Sequence, residues 1–127
     1  MGKRILFVDG DRTIIEAVNN MLEGMGHNVQ LETTGGDALT AFSGKPAEFD
    51  LIITDLGMPD ISGLLLVDKF LKMRANIPIV LLTGVDGQAQ CRARNDVRWF
   101  GMKPISLTAL AETVESALLS AAEQSLT

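Results

Sequence analysis

A single cysteine, Cys91, occurs in the 127 residues, so no disulfide can form within the chain. No run of 18 apolar residues is present, and no signal peptide opens the sequence, which argues against a spanning helix and against secretion. Basic residues are in the minority, 11 against 16 acidic ones, and they do not cluster. The net charge of -5 repels a phosphate backbone and argues against direct nucleic-acid binding. Internal repeats, linkers and low-complexity stretches are missing as well. What is there is 46% apolar content over a length that closes one core and is too short for two. The expectation is one cytoplasmic domain over residues 1–127, with no effector domain and no membrane contact, acting on protein or small-molecule partners.

The apolar residues alternate between two periods. Arg4–Val8 is a short strand-like run that ends on Asp9-Gly10-Asp11. Ile14, Ile15, Val18, Met21, Leu22 and Met25 then recur with helical spacing, with Asp11 as N-cap, until Gly24 and Gly26 stop them. Asn28–Glu32 sets Val29 and Leu31 on one face of a brief second strand. Gly35-Gly36-Asp37 opens a helix through Ala38, Leu39 and Phe42, and Gly44 and Pro46 close it. Leu51–Asp55 is an apolar, β-branched run that stops on a carboxylate and breaks into Leu56-Gly57-Met58-Pro59. After Gly63, the stripe Leu64, Val67, Phe70 and Leu71 predicts a third helix. Residues 77–83 form the most apolar strand, ending on Thr83-Gly84. Residues 86–96 offer only Ala89, Cys91 and Ala93, so the fourth helix packs weakly and suits a mobile or partner-facing element. A last strand over 97–102 leads to Lys103-Pro104, and Leu107, Leu110, Val114 and Leu118 stripe a fifth helix that Ser106 caps.

Five strands alternating with five helices predict a doubly wound α/β domain, a parallel sheet covered on both faces because crossovers are right-handed. Ligands in such folds sit beyond the carboxyl ends of the strands. That edge should collect Asp9 and Asp11 from the first strand, Asp55 from the third, Thr83 from the fourth and Lys103 from the fifth. Converging carboxylates repel one another and ask for a cation, and a hard oxygen set with room for water suits Mg²⁺. A lysine and a hydroxyl beside them can bind phosphoryl oxygens. The pocket therefore reads as a phosphoryl site in which a carboxylate is the acceptor.

Asp9, the run Thr54-Asp55-Leu56-Gly57-Met58-Pro59, Gly63, Thr83-Gly84, Phe100 and Lys103-Pro104 follow one another in an order that resembles the receiver domain of two-component response regulators over essentially the whole chain. The resemblance implies a flavodoxin-like (βα)5 fold with strand order 2-1-3-4-5. It implies that Asp55 accepts a phosphoryl group from a sensor histidine kinase or phosphotransfer protein, that Lys103 pairs with the phosphoryl oxygens, and that Thr83 hydrogen-bonds one of them. Mg²⁺ would rest on Asp9, Asp55 and the Gly57 carbonyl, with Asp11 as a further candidate ligand. Gly84 would keep the approach to Asp55 open, and the Lys103–Pro104 bond would be cis. Thr83 and Phe100 would form the switch. Output would pass through the face made by the fourth helix, fifth strand and fifth helix, to a protein target, to other domains of a larger chain, or to a second copy in a homodimer. No enzymatic activity is implied beyond assistance to its own phosphorylation and dephosphorylation.

Departures from the family pattern shape the rest. The second member of the usual acidic pair is Gly10 here, and Asp11 serves as the helix cap, so the Mg²⁺ site is expected to be weak. Gly57 and Val85, two residues after Asp55 and Thr83, cannot orient a hydrolytic water, so a phosphoryl group on Asp55 should persist. Phe100 lacks a hydroxyl, so its inward state would rest on packing. Trp99 is a candidate partner anchor, while His27 reads as a surface residue and Cys91 as small apolar filler. Two other readings compete. One is a pseudo-receiver that binds partners without phosphorylation. The other is a haloacid dehalogenase-like phosphatase with Asp9 as nucleophile, which Asp9-Gly10-Asp11-Arg12-Thr13 resembles. Against the phosphatase stand the missing acid pair after Lys103, the short chain, and the unassigned Asp55 loop.

Overall fold

The computed structural model describes residues 2–125. Among the described residues, five strands form one parallel sheet, β1 (Arg4–Val8), β2 (Asn28–Glu32), β3 (Leu51–Asp55), β4 (Ile79–Thr83) and β5 (Trp99–Met102). Five helices connect or follow them: α1 (Arg12–Gly24), α2 (Gly35–Gly44), α3 (Gly63–Met73), α4 (Gln88–Arg92) and α5 (Leu107–Ser125). The strand order is β2-β1-β3-β4-β5, as the resemblance implied. None of the described helices is long and apolar enough to cross a membrane.

The near-continuous apolar runs of β1, β3 and β4 follow from burial on both faces of the sheet. Leu6, Val8, Ile52 and Leu81 point to one layer, where they meet Phe42, Phe49, Leu66 and Phe70. Phe42 anchors that layer, edge-on to Phe70 at 5.2 Å and tilted against Phe49 at 5.8 Å. Ile5, Phe7, Ile53, Val80 and Leu82 point the other way, onto Val18, Leu22, Leu110 and Val114. The β2 edge is thinner, and Leu31 remains 37% exposed there. Capping is local: Asp11, Thr34 and Ser62 accept from Thr13, Asp37 and Leu65 amides at the starts of α1, α2 and α3. Ser106 accepts from the Ala109 amide at the start of α5. Gly26, with φ of 90°, turns the chain out of α1.

Three boundaries differ from the sequence expectation. β4 begins at Ile79 and not at residue 77, because Pro78 has no N–H for the ladder, although its carbonyl accepts from Ile52. β5 begins at Trp99, the first residue to pair with β4, opposite Val80, while Val97 packs into the core ahead of the ladder. The helix expected over 86–96 is only Gln88–Arg92, preceded by a 3-10 turn at Val85–Gly87. Cys91 is its buried anchor, and one small side chain supports little more than one turn. The segment after it is held by charge, since Arg94 contacts Asp68 of α3 and Asp96 at 2.6 Å each.

Register aligns the strand ends at one edge: Asp55 pairs with Leu82, and Thr83 with Met102. Gly63 sets the depth of that edge. A Cβ there would lie 2.5 Å from Leu56 Cα and 2.8 Å from the Asp55 carbonyl oxygen, both backbone atoms that cannot rotate away. Gly63→Ala is expected to destabilise the domain by about 1–3 kcal/mol through overpacking, read as a lower denaturant midpoint with an unchanged m-value.

Candidate functional site

Asp9 leaves β1 with its side chain fully buried, and its Oδ1 accepts from the Asp11 amide at 2.9 Å. Asp55 closes β3, keeps its side chain 15% exposed, and accepts from the Gly57 amide through Oδ1 at 3.2 Å. Lys103 follows β5, its amide donating to the Thr83 carbonyl at 2.9 Å, and the Lys103–Pro104 bond is cis. Its ammonium reaches between the carboxylates, 3.2 Å from Asp9 Oδ2 and 3.2 Å from Asp55 Oδ2. Residues 9, 55 and 103, far apart in sequence, thus form one charged cluster.

Burial pushes the Asp9 carboxyl above the usual aspartate range, and the charge of Asp55 adds to that, against the opposing pull of the Asp11 amide and Lys103. Asp9 Oδ2 is close to the ammonium yet receives no well-directed hydrogen bond among the described residues. A buried carboxylate oxygen of that kind suits a cation. Asp9 and Asp55 are the two carboxylates at this edge that would supply oxygen ligands to Mg²⁺. No group of three or more acidic, histidine or cysteine side chains is placed to hold a metal among the described residues.

Gly10 is exposed, and a Cβ there would find nothing nearer than the Thr33 carbonyl oxygen at 3.8 Å, so an acid would fit where none stands. Asp11 is exposed and spends its Oδ1 on the Thr13 amide at 3.0 Å, the geometry of the cap. Thr83 is 1% exposed, and its hydroxyl donates to the Gly84 carbonyl at 3.0 Å. Phe100 is half-buried against the layer that holds Phe42. Trp99, its neighbour, faces the opposite layer half-buried, with the Arg98 guanidinium 4.8 Å above its ring. Trp99 pairs with Val80 at the far end of β5 from the charged cluster. His27 is half-buried and accepts from the Lys3 amide through Nδ1, which ties the α1–β2 turn to the start of β1.

A family model of the response regulator receiver domain matches residues 5–115. The chain belongs to that family. Among curated relatives, the CheY homolog of Campylobacter jejuni is 29% identical over 119 residues, covering 91% of this chain and 92% of that protein. The transcriptional regulatory protein ZraR of Salmonella typhimurium is 30% identical over 117 residues, 90% of this chain. This chain spans only 26% of ZraR's length. Among solved structures, a receiver domain protein of Clostridium thermocellum superposes with a TM-score of 0.88 at 22% identity, covering 98% and 99% of the two chains, a likeness of fold. The non-phosphorylated HemR receiver domain of Leptospira biflexa gives 0.82 at 28% identity, covering 91% and 94%.

One supporting residue of this receiver domain escaped the sequence reading. Asp60, in the loop after Asp55, accepts from the Gly35 amide through Oδ1 and from the Gly36 amide through Oδ2, both at 2.9 Å. It ties the loop that carries Gly57 to the start of α2. The signal was the pair Gly35-Gly36 itself: a Cβ on Gly35 would fall 2.1 Å from Ile61 Cγ2, so the bare amides mark a close approach. Those two amides hold the Asp60 carboxyl below the usual aspartate range. A carboxyl depressed in the folded state contributes stability above its unfolded pKa of about 3.9 and loses it as pH falls through the folded value. Asp60→Asn is therefore expected to lower Tm at pH 7, with the difference from wild type shrinking below about pH 4, as scanning calorimetry across pH would read.

Proposed function

We propose that this receiver domain is a phosphoacceptor of a two-component phosphorelay, taking a phosphoryl group from a kinase or phosphotransfer phosphohistidine onto Asp55. The carrying observation is the Lys103 ammonium, 3.2 Å from the carboxylates of both Asp55 and Asp9. In the transfer, an Asp55 carboxylate oxygen bonds to phosphorus as the phosphorus–nitrogen bond to the donor histidine breaks, and the imidazole leaves. The reaction is mostly positioning and charge neutralisation. Lys103 already touches the accepting oxygen and can follow charge onto a phosphoryl oxygen. Thr83 must turn its hydroxyl from the Gly84 carbonyl to bind another, and that turn is the motion to which Phe100 and the α4-β5-α5 face would respond. Met102 and Leu107, 37% and 41% exposed, put apolar surface near that face for a downstream partner. Asp9, fully buried and tied to the Asp11 amide, is a poor nucleophile, which supports Asp55 as acceptor over the phosphatase reading.

When bound, Mg²⁺ supplies positive charge to the phosphoryl oxygens. Asp9, Asp55 and the Gly57 carbonyl would hold it, with Gly10 leaving the set one carboxylate short. A second reading, a pseudo-receiver that binds partners without phosphorylation, draws on the same geometry: two carboxylates with one ammonium between them leave one uncompensated negative charge and need less help from a metal than three carboxylates would.

Incubation with phosphoramidate and Mg²⁺ followed by mass spectrometry is expected to show one added phosphoryl group on Asp55, slow to leave in a chase because neither Gly57 nor Val85 can orient water. Asp55→Asn should gain none; failure of wild type to label with any phosphodonor would favour the pseudo-receiver. Gly10→Asp is expected to tighten Mg²⁺ binding about tenfold or more by restoring ligand charge. NMR titration of the amides near Asp55 measures this, and an unchanged affinity would refute the weakened-site reading.

A further inference from the structure

The 3-10 turn Val85–Gly87 lies directly over the Thr83 hydroxyl. A Cβ added to Gly87 would stand 2.4 Å from Thr83 Oγ1 and 2.2 Å from Leu56 Cδ2, the side chain next to Asp55. Backbone conformation does not require glycine there, since φ of -93° and ψ of -4° are open to any residue. Contact does. The Gly84 carbonyl accepts from the Thr83 hydroxyl at 3.0 Å and also from the Gly87 amide at 3.2 Å. One acceptor therefore closes the turn and holds the threonine. Thr83 is 1% exposed, and the buried Cys91 thiol of α4 lies within hydrogen-bonding reach of its side chain, so α4 as well as the turn packs against the threonine.

We infer that Gly87 is a positioning residue: its bare α-carbon lets the turn shut on Thr83 and Leu56, parks the hydroxyl on the Gly84 carbonyl, and makes phosphoryl capture by Thr83 depend on lifting the turn that begins α4. The phosphoryl part rests on the proposed role of Thr83; the parking of its hydroxyl does not. Leu56 Cδ2 is the tip of a flexible side chain and can swing aside. Thr83 Oγ1 sits on a short one, so a methyl at position 87 must either rotate Thr83 or raise the turn, and each breaks the resting hydrogen bond.

The test starts without any phosphodonor. Three-bond NMR couplings to the Thr83 methyl report its side-chain rotamer, and Gly87→Ala is expected to shift that rotamer away from the wild-type one. A raised turn instead shows as shifted amide resonances over residues 84–88, and an unchanged rotamer with unchanged turn amides overturns the inference. Folding supplies a second reading: Gly87→Ala is expected to lower the denaturant midpoint, and Thr83→Ala, which removes Oγ1, should recover most of that loss in the double variant. Purely additive losses overturn it, while a single variant that folds only when paired with Thr83→Ala supports it. Phosphorylation is then followed with phosphoramidate. Gly87→Ala should change the initial labelling rate of Asp55 several-fold in the wild-type background and leave it unchanged in Thr83→Ala. Equal effects in both backgrounds refute the link to phosphoryl capture but leave the rotamer result standing. Absence of labelling in wild type refutes the proposed function alone.

Discussion

Two carboxylates share a low-dielectric edge in this domain, and they do so because the Lys103 ammonium stands between them at 3.2 Å from each. Without a cation, Asp9 and Asp55 would repel. Burial already pushes the Asp9 carboxyl above the usual aspartate range. The rest of the architecture can be understood as what delivers these three charges to one point: β1 ends on Asp9, β3 ends on Asp55, and the chain leaving β5 carries Lys103 back over Thr83, with its amide on the Thr83 carbonyl.

Close backbone approach is the second constraint. Around the cluster, Gly63, Gly35 and Gly87 stand where a methyl group would meet backbone or short side chains at 2.1 to 2.5 Å. Each removes a side chain so that a loop can close: α3 against the Asp55–Leu56 backbone, α2 against Ile61, and the turn before α4 against Thr83. Asp60 then locks two of these loops together through the Gly35 and Gly36 amides. The site is rigid on the β3–α3 side and lightly built on the α4 side, where Cys91 and the Arg94 ion pairs to Asp68 and Asp96 do most of the holding.

Gly10 changes the charge balance of the cluster. A third carboxylate would leave two uncompensated negative charges and a strong demand for a divalent cation, whereas two carboxylates and an ammonium leave one. The open space beside the Thr33 carbonyl shows that nothing in the packing forbids a side chain at that position.

Much was legible from residue order alone. Period-two and continuous apolar runs identified the five strands, helical stripes identified the buried faces of α1 and α3 and, apart from the exposed Leu107, of α5, and carboxylate, hydroxyl and lysine at strand ends identified the edge at which Asp9, Asp55, Thr83 and Lys103 meet, because burial periodicity is written locally. The short α4 was harder to bound, since 86–96 carries little apolar pattern and its extent depends on what Cys91 meets. Tertiary structure alone decided the contacts between segments distant in sequence. It set Lys103 midway between Asp9 and Asp55, joined Asp60 to the start of α2, and laid Gly87 against Leu56. Such contacts depend on spacings between elements that must hold to within a few tenths of an ångström, which packing sets and no local pattern encodes.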